Sequence, residues 1–372
     1  MKEYRLNMLS RADMVKGQGV LSAYEEELRL ISGRLDRIHG DSGDFKLNIS
    51  INDKIDGDIT HIHTVNPEFF LRLPAIKSKG IVVGSVHFLP ETVDQSLHLP
   101  SVARQAFYSY LISFYKSMDR LVTVNPCFIP KLAAYGIDPQ KISFIPNYVS
   151  GSVFSTVDRQ QVKELRSSWG LDPERFTVVC AGQLQTRKGV FEYEKLAEQL
   201  PQMQFVWAGD FAFGNMSDGY KDIEKLLKEH PQNLHFTGLV ERDKMSQVYQ
   251  MGDVMLLPSF DELFPMTVLE AMSCHVPILL RDLDLYPVIL DGYYLKAQDN
   301  TGFAEELNKL SQQPQYYEQA VQMSRKGNDF YSEEHVLSMW RDFYHGLLGE
   351  SQRRQNKPIL KKVFSVAAGG VR

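Results

Sequence analysis

Two glutamates separated by seven residues, Glu262 and Glu270, lie in the segment Pro258-Ser259-Phe260-Asp261-Glu262-Leu263-Phe264-Pro265-Met266-Thr267-Val268-Leu269-Glu270-Ala271-Met272. The apolar run Val254–Leu257 before it reads as a buried strand, and the residues from Pro265 to Cys274 read as a helix. This spacing puts Glu262 on a loop at a strand tip and Glu270 on the first turns of the following helix. Carboxylates accept hydrogen bonds from paired sugar hydroxyls. The amides of a helix start suit a phosphate. One short segment thus offers groups for a sugar, a ribose and a phosphate, although a helix start that carries acids only to complement its dipole fits the same letters.

A second segment, Ala181-Gly182-Gln183-Leu184-Gln185-Thr186-Arg187-Lys188-Gly189-Val190, runs from a strand through a glycine-flanked loop into a helix. Close backbone approach at Gly182 and charge from Arg187 and Lys188 suit a diphosphate. A solvated basic turn fits as well. Lys16-Gly17-Gln18-Gly19 follows the first strand and lets backbone approach a phosphate or an acceptor, or is a plain turn. It is not GxGxxG, and no acidic residue stands in the dinucleotide position, which argues against a nicotinamide dehydrogenase. His87 ends the strand candidate Ile81–Val86, where a ring faces a cleft or serves as a structural hydrogen-bonder. Asp282-Leu283-Asp284 spells a D-x-D but reads as a short acidic loop, so no metal is assigned.

These loops need a scaffold. Strand candidates at Tyr4–Leu9, Phe45–Ile51, Ile59–His63, Ile81–Val86, Arg120–Val124 and Ile142–Ile145 alternate with helices near Ser22–Leu35 and Ser101–Met118. A polar stretch opened by Ser150-Gly151-Ser152 runs to Val162 as a hinge. The rhythm then restarts with strands at Thr177–Ala181, Gln204–Ala208, Leu234–Thr237, Val254–Leu257 and Ile278–Leu280. Helices at Val190–Leu200, Lys221–Glu229, Asp243–Met251 and Pro265–Cys274 fit between them. The expected fold is α/β, two doubly wound parallel sheets whose carboxyl edges face a common cleft. The domains are expected at 1–150 and 151–331, with a closing helix within 332–372 crossing back to the first.

Taken together these segments resemble the family 4 glycosyltransferases of the GT-B fold. The likeness includes Gly182…Lys188-Gly189, Gly209-Asp210, Phe236-Thr237-Gly238, Asp253–Ser259, the Glu262…Glu270 helix and Ile145-Pro146-Asn147. The stretch from Met8 to Tyr24 looks like bacterial enzymes that extend glucosyl-diacylglycerol with a second hexose. The resemblance implies a retaining hexosyltransferase using a UDP-hexose, galactose favoured over glucose, without metal or further cofactor. Glu262 would bind donor hydroxyls, Glu270 the ribose, and Lys188 the diphosphate. His87 would contact the hexose near the reacting centre. Gly17 and Gly19 would let their loop approach the phosphate, and Gly182, Arg187, Phe264 and Pro265 belong to the same donor-binding segments. Gln183 stands where the family often has Arg. A soluble polysaccharide-directed transferase and a non-catalytic binding partner are the competing readings.

Composition agrees with an ordinary globular enzyme: 372 residues, 43% apolar, 23% charged, net charge −5, which excludes a generally basic nucleic-acid-coating protein. Cys127, Cys180 and Cys274 are too scattered for a zinc site or a disulfide framework. The N-terminus lacks the apolar core of a signal peptide, so a cytosolic protein is expected, in contact with membrane only peripherally. That contact is assigned to a basic tail after Glu350, with Arg353, Arg354, Lys357, Lys361, Lys362 and Arg372, in which Ile359, Leu360, Val363 and Phe364 share a helical face. The aromatic helix Ser101–Met118 reads either as a second interfacial face or as a core helix.

Overall fold

The computed structural model describes residues 2–11, 19–35, 37–38, 45–55, 57–91, 101–211, 214 and 217–355. Gly17 and the tail beyond residue 355 lie outside them.

Thirteen strands form two sheets among the described residues. The first contains β1 (Lys2–Leu9), β2 (Arg37–Ile38), β3 (Phe45–Ile51), β4 (Ile59–Ile62), β5 (Ile81–Val86), β6 (Arg120–Thr123) and β7 (Ile142–Phe144), in the order β2-β3-β1-β4-β5-β6-β7. Every pairing in it is parallel except the short β2–β3 edge. The second contains β8 (Thr177–Ala181), β9 (Gln204–Ala208), β10 (Leu234–Gly238), β11 (Val254–Leu257), β12 (Ile278–Arg281) and β13 (Leu295–Ala297), ordered β10-β9-β8-β11-β12-β13 and parallel throughout. Both orders reverse direction beside the first strand of the half, which is the doubly wound pattern. The crevice at that switch point lies past the strand C-termini.

Parallel strands covered on both faces need apolar residues at every position, not alternate ones. Accordingly β5, β8, β9 and β11 are buried along their whole length. This continuity explains why their bounds could be read from the letters alone. Each fully buried Phe, Leu or Val contributes roughly 1.5–3 kcal/mol, and Phe205 and Leu256 are both closed off from water.

The helices, in chain order, are α1 (Gly19–Arg34), α2 (Pro67–Lys79), α3 (Ser101–Lys116), α4 (Phe128–Ala134), α5 (Arg159–Ser168), α6 (Val190–Gln199), α7 (Tyr220–Leu226), α8 (Met245–Gln250), α9 (Met266–Ser273), α10 (Tyr286–Ile289), α11 (Asn300–Gln312), α12 (Pro314–Phe330) and α13 (Glu333–Gln355). α2 is absent from the sequence reading because Pro74 interrupts its pattern; Phe69, Leu73 and Ile76 nonetheless give it a buried face. α5 opens at Arg159, three residues before the expected end of the hinge. Asp158 caps the Gln161 amide while the Gln161 side chain returns to Asp158, a reciprocal capping box. The helix expected from Asp243 starts instead as a 3-10 turn, Arg242–Lys244, and becomes α-helical at Met245.

α13 leaves the second half and packs on the first. Val336, Leu337, Trp340, Tyr344, Leu347 and Leu348 join Leu6, Leu30, Ile31, Ile59 and Val83 in one core. Arg34 pairs with Glu333 at 2.7 Å beside it. In α3, Leu111, Phe114 and Tyr115 are buried, the Tyr115 hydroxyl donates to the Phe88 carbonyl, and Tyr110 donates to Val65. The aromatic side of this helix is therefore core. Its first turns, from Val102 to Ala106, are exposed. No described helix is long and apolar enough to cross a membrane.

Candidate active site

Strands β8 and β9 both run into glycine, and after β9 the backbone admits nothing larger. Gly182 follows β8, and the Trp207 indole donates to its carbonyl at 3.0 Å. Gly209 follows β9 with φ +142°, and a Cβ there would stand 2.0 Å from that same carbonyl oxygen. The 3-10 turn Thr186–Lys188 closes at Gly189, whose φ of +77° is in the left-handed region. Gly189 lies on the Pro258 backbone, and the Phe260 amide donates to the Arg187 carbonyl at 2.8 Å. The cationic turn after β8 is thereby laid against the loop after β11.

The consequence is direct contact between two residues expected to share one ligand: Lys188 Nζ donates to Glu262 Oε1 at 2.5 Å, and both side chains are largely buried. A Cβ on Gly182 would meet the Lys188 stem at 3.9 Å, so the glycine leaves room beside the lysine. Arg187 lies at the edge of this group, with Nη1 3.5 Å from the Asp261 carbonyl. Pro265 precedes α9, whose first turn has no side-chain cap. Phe264 turns its ring edge-to-face toward Tyr331 and seats the loop on the domain body.

Glu270, on the second turn of α9, is 3% exposed. Each of its oxygens is held: Oε1 by Arg242 at 2.6 Å and Oε2 by the Tyr249 hydroxyl at 2.6 Å. Neither partner belongs to the motif segments. Arg242 stands just before the helix read from Asp243, and Tyr249 lies within that helix. Only the sheet order, which sets β10 and β11 on either side of the β8–β9 pair, reveals their partner.

Across the cleft, His87 follows β5 and lines a small cavity of about 20 Å³, open on one side to solvent, together with Glu26, Glu27, Ser85, Asn147, Tyr148, Trp340 and Met266. Met266 opens α9, so this first-domain cavity reaches the helix that carries Glu270. His87 Nε2 is sealed from solvent without a hydrogen-bond partner, and burial pushes the ring down to about 4. It is a neutral imidazole near pH 7. The structure joins Lys188 to Glu262 and places Glu270 on α9, but gives His87 no contact with either glutamate. The loop after β6 closes the gap between domains: Asn125, itself buried, donates Nδ2 to the Leu263 carbonyl at 2.8 Å. Gly19 opens α1, where the sequence reading began the helix nearer Ser22.

Behind His87 lies a polar cluster that the sequence reading passed over. The His61 and His63 rings are 4.1 Å apart at the end of β4, and both approach Glu27 of α1 at 3.7 Å. Among the described residues this trio alone gathers metal-ligand types, with ligand atoms within 4.8 Å. Its rings already bond to neighbours, except His63 Nε2: His61 contacts the Tyr344 hydroxyl at 2.8 Å and Ser85 at 2.9 Å, and Ser85 contacts His63 Nδ1 at 3.2 Å. The arrangement ties α1, β4, β5 and α13 together. Burial lowers the affinity of both rings for protons, His61 to about 3, and raises the Glu27 carboxyl well above its usual range. The three cysteines are free.

Comparison with known proteins agrees with this geometry. Residues 161–328 match the model described as glycosyl transferases group 1, and residues 46–153 match glycosyltransferase family 4. The chain is 41% identical over 343 residues to the alpha-galactosylglucosyldiacylglycerol synthase of Streptococcus pneumoniae, covering 92% of this chain and 90% of that one. It is 22% identical to the processive diacylglycerol alpha-glucosyltransferase of Acholeplasma laidlawii, over 69% of this chain and 76% of that one. In fold it is similar to Anabaena HepE in complex with UDP and glucose (TM-score 0.67, 14% identity, 93% of this chain and 99% of that one). It is also similar to the sucrose-phosphate synthase of Thermosynechococcus elongatus (TM-score 0.69, 15% identity, 93% and 99%). Two domain matches in sequence order, a relative matched almost end to end and paired Rossmann-like sheets together place the chain in glycosyltransferase family 4: it is a glycosyltransferase of the GT-B fold.

Proposed function

We propose that the enzyme moves a hexose, galactose in preference to glucose, from a UDP-sugar to glucosyl-diacylglycerol with net retention, and needs no metal. The observation that carries the donor half of this reading is the Lys188–Glu262 contact beside Glu270 and the uncapped start of α9. The name of the pneumococcal relative supports the acceptor. A diphosphate entering the site claims Lys188, while sugar hydroxyls claim Glu262, so the ligand takes over charges that now satisfy each other. Glu270 receives the ribose diol.

As the bond from the anomeric carbon to the diphosphate oxygen breaks, negative charge accumulates on UDP. Lys188, Arg187 and the first amides of α9 stabilise that charge more in the transition state than before it. The acceptor hydroxyl forms its bond on the face that UDP leaves, and its proton passes to the departing phosphate oxygen. No protein nucleophile is required. His87, neutral and with a free Nε2, offers a hydrogen bond to the hexose near the reacting carbon. Closure of the two domains excludes water that would hydrolyse the donor.

The acceptor is a membrane lipid, so the enzyme works at a surface. The basic residues after Glu350, interleaved with Ile359, Leu360, Val363 and Phe364, are suited to the anionic inner leaflet, each cation contributing about 1 kcal/mol. The test is incubation of the purified protein with liposomes holding glucosyl-diacylglycerol and either UDP-galactose or UDP-glucose. A dihexosyl lipid with an α-anomeric new linkage is expected from UDP-galactose. Product from UDP-glucose alone overturns the donor preference, and transfer only to a water-soluble saccharide overturns the lipid acceptor.

A further inference from the structure

The Arg242 guanidinium stands where three parts of the molecule meet. Nη1 is 2.6 Å from Glu270, and Nη2 is 3.8 Å from Glu26 on α1 of the first domain. Its Cζ lies over the Phe154 ring at 5.4 Å, and Phe154 belongs to the connection between the sheets. Glu26 is held on its other side: the Tyr148 hydroxyl donates to its carbonyl at 2.7 Å, and Arg29 pairs with its carboxylate at 3.0 Å. Tyr148 and Phe154 flank Ser150-Gly151-Ser152, the link about which the two domains can turn.

We propose that Arg242 is a positioning residue that couples occupation of the ribose site at Glu270 to the setting of the first domain through Glu26. The inference rests on the assignment of Glu270 to the nucleotide. A guanidinium has a planar fork of donors and can serve two carboxylates at once. Its 2.6 Å bond now uses one Glu270 oxygen, the kind of acceptor a ribose diol needs. A diol arriving there competes for Oε1, and the donor capacity released from Arg242 turns to Glu26, 3.8 Å away. Nucleotide binding in the second domain thus strengthens a contact to the first, and the contact sits at the hinge, where a small rotation moves the far lips of the cleft most. Both Glu270 and Glu26 are largely buried while Arg242 is half exposed, so the arginine is the member free to shift.

The experiment measures UDP affinity by calorimetry, steady-state kinetics with UDP-hexose, and thermal unfolding for Arg242→Ala, Arg242→Lys, Glu26→Gln and the double variant. Expected is a loss of UDP affinity of about 5- to 20-fold in Arg242→Ala, partly rescued by lysine. Glu26→Gln is expected to lose UDP affinity by a smaller factor, about 2- to 5-fold, with an unchanged melting temperature, while kcat falls about 5-fold or more. The double variant is expected to have the kcat of Arg242→Ala alone. Unchanged kcat in Glu26→Gln, or losses in the double variant that multiply, overturns the coupling. Glu270→Ala separates the two levels. If it leaves UDP binding intact, the donor-site assignment itself fails. If it abolishes binding while Arg242→Ala and Glu26→Gln behave as wild type, only the coupling fails.

Discussion

Gly189 and Pro258 touch backbone to backbone: a Cβ built on Gly189 would stand 2.5 Å from the Pro258 carbonyl oxygen. The left-handed φ of +77° adds strain for any other residue. Gly189→Ala is therefore expected to cost about 1–3 kcal/mol in backbone strain alone and to push the Thr186–Lys188 turn off the β11 loop. A lower melting temperature and weakened UDP binding together report this. A variant with wild-type values in both would show that the turn does not depend on the contact.

Glu262→Ala is expected to lower turnover by about 10²-fold or more, since it removes the carboxylate proposed to bind the donor sugar. It also strands the buried Lys188 ammonium, so some stability is lost as well. Glu262→Gln keeps the shape and a hydrogen-bond acceptor, and its Tm is expected to lie closer to wild type while activity stays low. Near-normal kcat in both variants would remove Glu262 from the chemistry.

Acid sensitivity follows from the buried imidazoles. His87 titrates about 4 and His61 about 3 when folded, against about 6.5 when unfolded, and His63 is also shifted down. The unfolded chain takes up these protons first, so stability is fully present above about pH 6.5 and is lost as pH falls toward the folded values. Each such site gives a slope of about 1.4 kcal/mol per pH unit where only the unfolded chain is protonated. Glu27 works the other way: its raised carboxyl favours the native state at low pH and loses that contribution as pH rises through its folded value. Three imidazoles outweigh one carboxyl, and unfolding temperature is expected to drop from pH 7 to pH 5. His87→Asn is expected to flatten that drop. Because His87 is neutral throughout, kcat/KM is not expected to inflect near 6.5 on its account. An inflection there that vanishes in His87→Asn contradicts the neutral assignment.

Removing residues 356–372 takes away Lys357, Lys361, Lys362 and Arg372 together with the apolar face of Ile359, Leu360, Val363 and Phe364. Sedimentation with anionic vesicles is expected to weaken, most visibly at low salt. UDP binding is expected to be unaffected, because the residues proposed to hold the donor lie earlier in the sequence. Full vesicle binding by the truncated protein would move the membrane contact elsewhere, with the exposed Val102–Ala106 turns of α3 as the next place to look.

The letters disclosed the strands best. β5, β8, β9 and β11 are mostly apolar because both faces are covered, and such runs have sharp ends. The Glu262…Glu270 segment and the Arg187-Lys188 turn were legible because each lies just past a strand in the chain itself. Arg242, Tyr249, Asn125 and the Glu27–His61–His63 group were not. Each acts on a residue far away in sequence, and a lone arginine in Glu241–Lys244 has the local character of any wet turn. Nor does α2 announce itself, since Pro74 falls inside it and its stability comes from Phe69, Leu73 and Ile76 finding neighbours in the fold.

The return of α13 to the first sheet has an implication for synthesis. Trp340 and Tyr344 complete a core begun by Leu6 and Ile59, so the amino-terminal sheet waits for nearly the whole polypeptide to leave the ribosome. The second sheet, by contrast, is drawn from one uninterrupted stretch and has all its strands once Ala297 emerges. The half made second is thus the half able to finish first. A nascent chain stalled before Glu333 would present a settled second domain beside a first domain still missing its last wall.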